Sequence, residues 1–263
     1  MFLKHLLVLV SVGVVAAAPP QNKPAPLPEV PEILKPVNAR IGTRTGVGIT
    51  LTLNSETPLT SEQWDAVAKL GVRSFNLQGA VSDDTGMARL AAMNPEALSF
   101  SHSPMTDAGG AKFAEMKSLR VLLMSHTDKL TPASATALAN HPALEEFSND
   151  GKFGIGGMAQ IATAKRLRNV TLQHGVSCDA NVALLAKHPS IETLKLWPKG
   201  TATLTDAALP SVATIPNLKE LSLEFSVFSY SGLSQLRKLP KLAKLNLNEV
   251  AVSDDDLAKL KSD

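Results

Sequence analysis

Leu119-Arg120-Val121-Leu122-Leu123-Met124 carries apolar side chains at its first, fourth and sixth positions, and this spacing returns along most of the chain. Clear copies are Val72–Phe75–Leu77, Leu167–Val170–Leu172, Ile191–Leu194–Leu196, Leu218–Leu221–Leu223 and Leu242–Leu245–Leu247. Degenerate copies are Gly48–Leu51–Leu53, Pro95–Leu98–Phe100 and Leu144–Phe147–Asn149. The first positions of the nine copies are 24, 23, 24, 25, 23, 24, 27 and 24 residues apart. A fixed period of this size is the signature of a solenoid, in which each unit buries its apolar stripe only against its neighbours.

The second half of each unit reads as a helix. An apolar residue followed by Ser or Thr recurs after each phrase, as in Leu59-Thr60, Val81-Ser82, Met105-Thr106, Leu130-Thr131, Val176-Ser177, Leu204-Thr205, Phe228-Ser229 and Val252-Ser253. Hydroxyl side chains there serve as N-caps, accepting from backbone N–H groups that the first helical turn leaves free. Thr60 with Gln63 has the spacing of a capping box. Asp83, Asp107, Asp206 and Asp254 follow directly, where a negative charge favours the helix N-terminus. Apolar spacing then becomes helical, as in Leu209–Val212–Ile215 and Leu233–Leu236–Leu239, before Pro216 and Pro240 stop it. Strands joined by such crossovers must run parallel.

The phrase and its period resemble the leucine-rich repeat family, of the bacterial exported type with convex helices, over about four fifths of the chain. The resemblance implies an α/β solenoid: a right-handed horseshoe with a parallel concave sheet of about nine short strands, helices outside, and a concave face used for protein recognition. The chain departs from the family in one respect. Where many such repeats place Asn or Cys, it has Glu56, Ala80, Ser103, Thr127, Lys152, Gly175, Lys199, Ser226 and Val250, so no asparagine ladder joins the loops.

Three regions are expected. Residues 1–17 form a signal peptide: Lys4 and His5, an apolar run from Leu6 to Ala18, and small residues at Val15-Ala16-Ala17. The run is too short to span a bilayer. Residues 18–47, dense in proline, form an extended linker, and 48–263 form the repeat domain. Secretion or a periplasmic location follows, with no membrane span after signal cleavage. Cleavage removes Lys4 and lowers the formal net charge from +2 to +1, too balanced for nucleic acid or an anionic membrane. The single cysteine, Cys178, excludes an internal disulfide framework.

Side chains between the apolar positions are free to act. The first of them alternates in sign (Arg73, Glu96, Arg120, Glu145, Arg168, Glu192, Lys219), which suits a ladder that fixes register on a solvated face. The third reads Thr52, Asn76, Ser99, Leu123, Ser148, Thr171, Lys195, Ser222 and Asn246, mostly small and polar. Trp197, just past a strand, stands where other units carry Gln78, Ser101, Ser125, Gln173 and Glu224, and is the candidate anchor. The candidate binding set is Trp197, Lys195, Arg120, Leu123, Glu145, Arg168 and Thr171.

His102, His126 and His174 share one position. The first two are weak metal candidates, set against the simpler reading of solvated edge histidines, with no acid in the same row. His141 and His188 share another position, at the helix end. Asn149 replaces a core apolar residue, and the Gly154-x-Gly156 match to a dinucleotide motif is discarded because the next strand falls in phase with the array. No catalytic residue, enzyme activity or cofactor is expected.

The resulting expectation is a non-catalytic exported module that binds a protein or cell-envelope ligand through its concave face. One alternative is an assembly element forming a homodimer through an uncapped C-terminal repeat, where Leu257 and Leu260 lack a following strand. A weaker one is a metal protein using the histidine row.

Overall fold

In the computed structural model, which describes residues 26–150, 153–199 and 204–262, every phrase with its apolar pair becomes a strand. The strands are β1 (Arg40–Arg44), β2 (Gly48–Ser55), β3 (Ser74–Gly79), β4 (Ala97–Ser101), β5 (Val121–Ser125), β6 (Glu146–Asn149), β7 (Asn169–Gln173), β8 (Thr193–Trp197), β9 (Glu220–Glu224) and β10 (Lys244–Asn248). They form one sheet in chain order, parallel from β2 to β10. The fold is an α/β leucine-rich-repeat solenoid. The expected signal peptide, 1–17, lies outside the described residues.

Register follows from the apolar pair. Leu51, Phe75, Leu98, Leu122, Phe147, Val170, Leu194 and Leu221 are successive partners across the sheet, and none is more than 1% exposed. A second buried row runs Leu53, Leu77, Phe100, Met124, Asn149, Leu172, Leu196 and Leu223. Sliding one strand by one residue would turn both rows into solvent, so register is fixed by burial. Each buried leucine is worth about 1.5–3 kcal/mol, realised only when the next coil covers it.

The crossovers are less uniformly helical than expected. Among the described residues, only α1 (Ser61–Lys69), α2 (Asp84–Met93) and the last helix (Asp254–Ser262) reach nine or ten residues. Elsewhere an α-turn runs into a 3₁₀ turn, as at Asp107–Gly110 with Ala111–Glu115 and Tyr230–Leu233 with Ser234–Lys238. The strict three-residue apolar step is itself the 3₁₀ period, which covers more length per residue than an α-helix.

The 18–47 linker expectation fails for its second half. Residues 32–37 form a 3₁₀ turn with Leu34 and Val37 buried, and β1 pairs antiparallel with β2, Arg40 opposite Thr52 and Arg44 opposite Gly48. This hairpin covers the edge that β2 would otherwise leave open. Proline content masked its signal, the Ile41–Thr43 alternation ahead of a turn at Gly46 (φ 78°).

Capping largely follows the hydroxyl pattern. Thr60 and Gln63 form the expected capping box; Thr106, Thr205 and Ser229 accept from the first turns of their helices. At α2 the cap is Asp83 rather than Ser82, whose hydroxyl donates to Gly79 O instead.

The acidic residues beside these caps have a role that the helix-dipole argument missed. Asp84 accepts from the Thr106 N–H and hydroxyl one repeat later, at 2.8 and 2.7 Å. Asp107 does the same to Thr131 at 2.8 and 2.6 Å and also accepts from the Ser134 hydroxyl. Asp179 bonds Thr205 and Asp206 bonds Ser229 in the same manner. The rungs demand close approach. The Gly109 N–H donates to Asp84, and a Cβ at Gly109 or Gly232 would collide with Asp84 or Asp206. Burial pushes the Asp84 and Asp107 carboxyls up, but the Thr hydroxyls and amides outweigh it and hold both below the ordinary aspartate value of 3.8.

Asp107→Ala leaves the Thr131 amide and hydroxyl short of an acceptor, while the Ser134 hydroxyl keeps Thr131 O, and is expected to cost about 2 kcal/mol in chemical denaturation. A carboxyl depressed on folding contributes stability that is present above the unfolded value and lost as pH falls through the folded one. Wild type should therefore weaken below about pH 4, and the variant should show a shallower decline there.

Candidate functional site

On the side of the sheet away from the crossovers, the residues flanking the apolar pair stand in rows. Leu123, Ser148, Thr171 and Lys195 are consecutive partners on β5 to β8, so three of the expected binding residues share one row. Trp197 lies on the same face two residues beyond Lys195, opposite Gln173.

Arg120, Glu145 and Arg168 belong to the alternating row just before the strands, and they are occupied. Arg120 donates through Nε and a terminal nitrogen to one oxygen of Glu145, at 3.2 and 2.9 Å, while Arg166 takes the other oxygen at 2.8 Å. Glu192 holds Arg168 at 3.3 Å and Lys219 at 2.8 Å, and Arg73 pairs with Glu96 at 3.2 Å. For Glu145, burial opposes ionisation but Arg120 and Arg166 lower its carboxyl; for Glu192 the Lys219 hydrogen bond is the main cause of lowering. The same residues accept backbone N–H groups from the next repeat, such as Arg120 O from Glu145 N at 2.8 Å. The row is a register device, and it leaves little free charge on that edge.

The opposite edge is different. Trp197 is 37% exposed and stacks on Phe225 with ring centroids 6.0 Å apart and planes 21° apart. His174 meets its other side edge-on, also at 6.0 Å. Phe225 is 44% and Val227 70% exposed, so three of the seven exposed large apolar side chains among the described residues form one strip across the ends of β8 and β9. The sequence reading found Trp197 but not Phe225 or Val227. The available signal was position: Phe225 is two residues past the last strand leucine, where His102, His126 and His174 stand in their repeats.

That position has a backbone reason for its histidines. His102, His126, His174 and Phe225 have φ of 53°, 52°, 50° and 48°, a left-handed turn at the end of each of their strands. Histidine is among the side chains enriched there, whereas Phe225 holds it at greater cost. The His102 and His126 rings stack face to face, 4.4 Å apart with planes 4° apart, and each Nδ1 bonds the preceding serine hydroxyl, Ser101 or Ser125. Stacked rings do not aim their nitrogens at a shared point. Among the described residues, no group of three or more His, Cys, Asp or Glu is arranged to hold a metal ion.

The expectation that no acid joins the histidine row is corrected. Asp150, whose side chain is 4% exposed, accepts from the Ser125 hydroxyl and the His126 N–H, and lies 3.6 Å from His126 Nδ1 and 3.9 Å from His174 Nδ1. It reaches the row from the neighbouring strand position. Gly151, the residue in phase with the histidines, lies outside the described residues.

His141 and His188 pack at the turn ends, as expected. Their Nε2 atoms donate to Met116 O at 3.1 Å and Ala164 O at 3.2 Å, one repeat back. Burial is the main reason both imidazoles are held below their ordinary value, so they stay neutral.

No family model and no curated protein matches the chain. Solved structures do. Over 80% of this chain and 31% of the other, it resembles TLR13 in its complex with ssRNA13, at 16% identity and a TM-score of 0.53. Over 76% of this chain and 77% of the other, it resembles human 5T4 (Wnt-activated inhibitory factor 1, trophoblast glycoprotein), at 18% identity and a TM-score of 0.54. Both are leucine-rich-repeat structures, and the likeness is one of fold.

Proposed function

We propose that this chain is a non-catalytic, exported binding module that holds a protein partner on the open face of its sheet, with Trp197 and Phe225 as the anchor. The observation that carries this reading is the stacked, half-exposed pair continued by Val227. Aromatic side chains exposed together on a surface that is otherwise small and polar concentrate binding energy in one place. Lys195 and Thr171 stand beside the anchor on the same face and supply a polar rim, and Leu123 adds an apolar position farther along the same row. Arg120 and Glu145, paired with each other, and Arg168, paired with Glu192, lie at the other edge and contribute to sheet register and only secondarily to a partner. Export rests on the apolar N-terminal run from Leu6 to Ala18, and no described helix is long and apolar enough to cross a membrane.

A second reading has its own observation. Leu233, Leu236, Leu239, Leu242, Leu245 and Leu260 line an open groove of about 390 Å³ at the last coil. Leu242, Leu245, Leu247 and Leu260 are only partly buried, unlike their counterparts in earlier repeats. A second copy of the chain would cover them and make a homodimer.

Two experiments separate these readings. In capture from a native extract, wild type should retain a partner that Trp197→Ala loses, with affinity about 30-fold weaker for a hot-spot aromatic. Equal capture by both proteins would remove the anchor from the account. Light scattering should give a dimer for wild type and a monomer for Leu260→Asp if the last coil self-associates; a monomeric wild type would end that reading.

A further inference from the structure

The N-terminal hairpin carries an arginine-lined cleft at the far end of the sheet from the aromatic strip. On β1, Arg40, Gly42 and Arg44 pair with Thr52, Thr50 and Gly48 of β2, so the two arginines lie on the same face as Thr50, Thr52, Asn76 and Ser99. Gly42 leaves the space between them clear, with nothing within 4 Å of a Cβ placed there. These residues, with Ile41, Thr43 and Phe75, wall a cleft of about 330 Å³, the lower end of the size range of small-molecule sites.

One of its walls, Arg44, also forms an ion pair across the sheet. Arg44 reaches Glu146 at 3.4 Å, although β1 and β6 are five strands apart, roughly 24 Å along a flat sheet. One arginine and one glutamate side chain cannot span that distance, so the sheet curls inward and the hairpin leans across its open face. Each partner keeps about a third of its side chain exposed, 31% and 35%. At 3.4 Å the contact is long for a charge-assisted bond. Arg40 is exposed and has no ion-pair partner among the described residues.

The wall chemistry selects a ligand class. Two guanidinium groups call for an oxyanion, which they bind in a planar, two-point fashion. The remaining polar side chains on this face are the hydroxyls of Thr50, Thr52 and Ser99 and the amide of Asn76, all able to exchange hydrogen bonds with hydroxyl groups. Thr50 and Ser74 are already bonded hydroxyl to hydroxyl at 2.8 Å, which orients Thr50. We propose that this cleft binds a monosaccharide-sized, hydroxyl-bearing anion, a sugar acid or sugar phosphate, with Arg40 as its main contact and Arg44 shared between ligand and Glu146. This site is independent of the Trp197 surface and of the partner proposed for it.

Calorimetric titration of the full chain with glucuronate, glucose 6-phosphate, glucose and inorganic phosphate tests the assignment. Glucuronate or glucose 6-phosphate should bind at millimolar or better affinity, glucose not measurably, and inorganic phosphate at least fivefold more weakly than the better sugar anion. The ratio of the two sugar anions tells carboxylate from phosphate. Arg40→Ala should weaken binding at least tenfold with an unchanged circular dichroism spectrum. Glu146→Gln, which frees Arg44, should tighten it. Raising salt from 50 to 500 mM should weaken it. Failure of both sugar anions to bind at 20 mM, equal affinity in Arg40→Ala, or inorganic phosphate binding as well as either would overturn the proposal. Weaker binding by Glu146→Gln would overturn the shared role of Arg44.

Discussion

A single coil of this chain has an apolar stripe on one side and nothing of its own to cover it. Everything else in the structure is arranged around that shortage. Two interior rows, one through Leu51 to Leu221 and one through Leu53 to Leu223, run from coil to coil because the two buried positions sit two residues apart in each repeat, with the polar Asn149 standing in the second row. Parallel strands, crossovers on one side and an open face on the other then follow from the 24-residue period. Function is left to the two edges and the open face, since the rows consume the rest.

Holding coils in phase also requires the polar backbone at each bend to find partners, and here the chain departs from a ladder of buried asparagines. Four aspartates, Asp84, Asp107, Asp179 and Asp206, each take the N–H and hydroxyl of the next repeat's Thr or Ser cap. His141 and His188 tie the other bend to a carbonyl one repeat back. Both kinds of rung combine a local role, capping a helix or closing a turn, with a connection between repeats. The small residues Gly109 and Gly232, which look like poor choices for a helix, are the space these carboxylates need.

How much of this could be read from the sequence depended on whether the signal repeated. Strand order, register and buried rows were legible because nine copies averaged out the degenerate ones. The capping box at Thr60 was legible because its mechanism is local. The aspartate rungs were not, since Asp107 next to Thr106 has a sufficient local explanation and its real partner is 24 residues away. The β1 hairpin occurs once and lies beside a proline-rich segment, so composition outweighed the short alternation around Ile41. Trp197 stood out by residue type, but its stack on Phe225 needed the geometry of the left-handed turn. Asp150 escaped because it enters the histidine row from a neighbouring position.

The two ends of the open face differ in kind: a charged, hydroxylated cleft under the hairpin and an aromatic strip at β8 and β9. Such a division is possible because a solenoid face is long and each repeat contributes its own side chains without disturbing the rows beneath. The stacking of those rows is the claim on which both sites depend. Methyl–methyl nuclear Overhauser contacts in selectively labelled protein test it directly. The account predicts contacts from Leu98 to Leu122, from Val170 to Leu194 and from Leu194 to Leu221, with none from Leu122 to Leu194. Missing neighbour contacts, or a Leu122–Leu194 contact in their place, would contradict it.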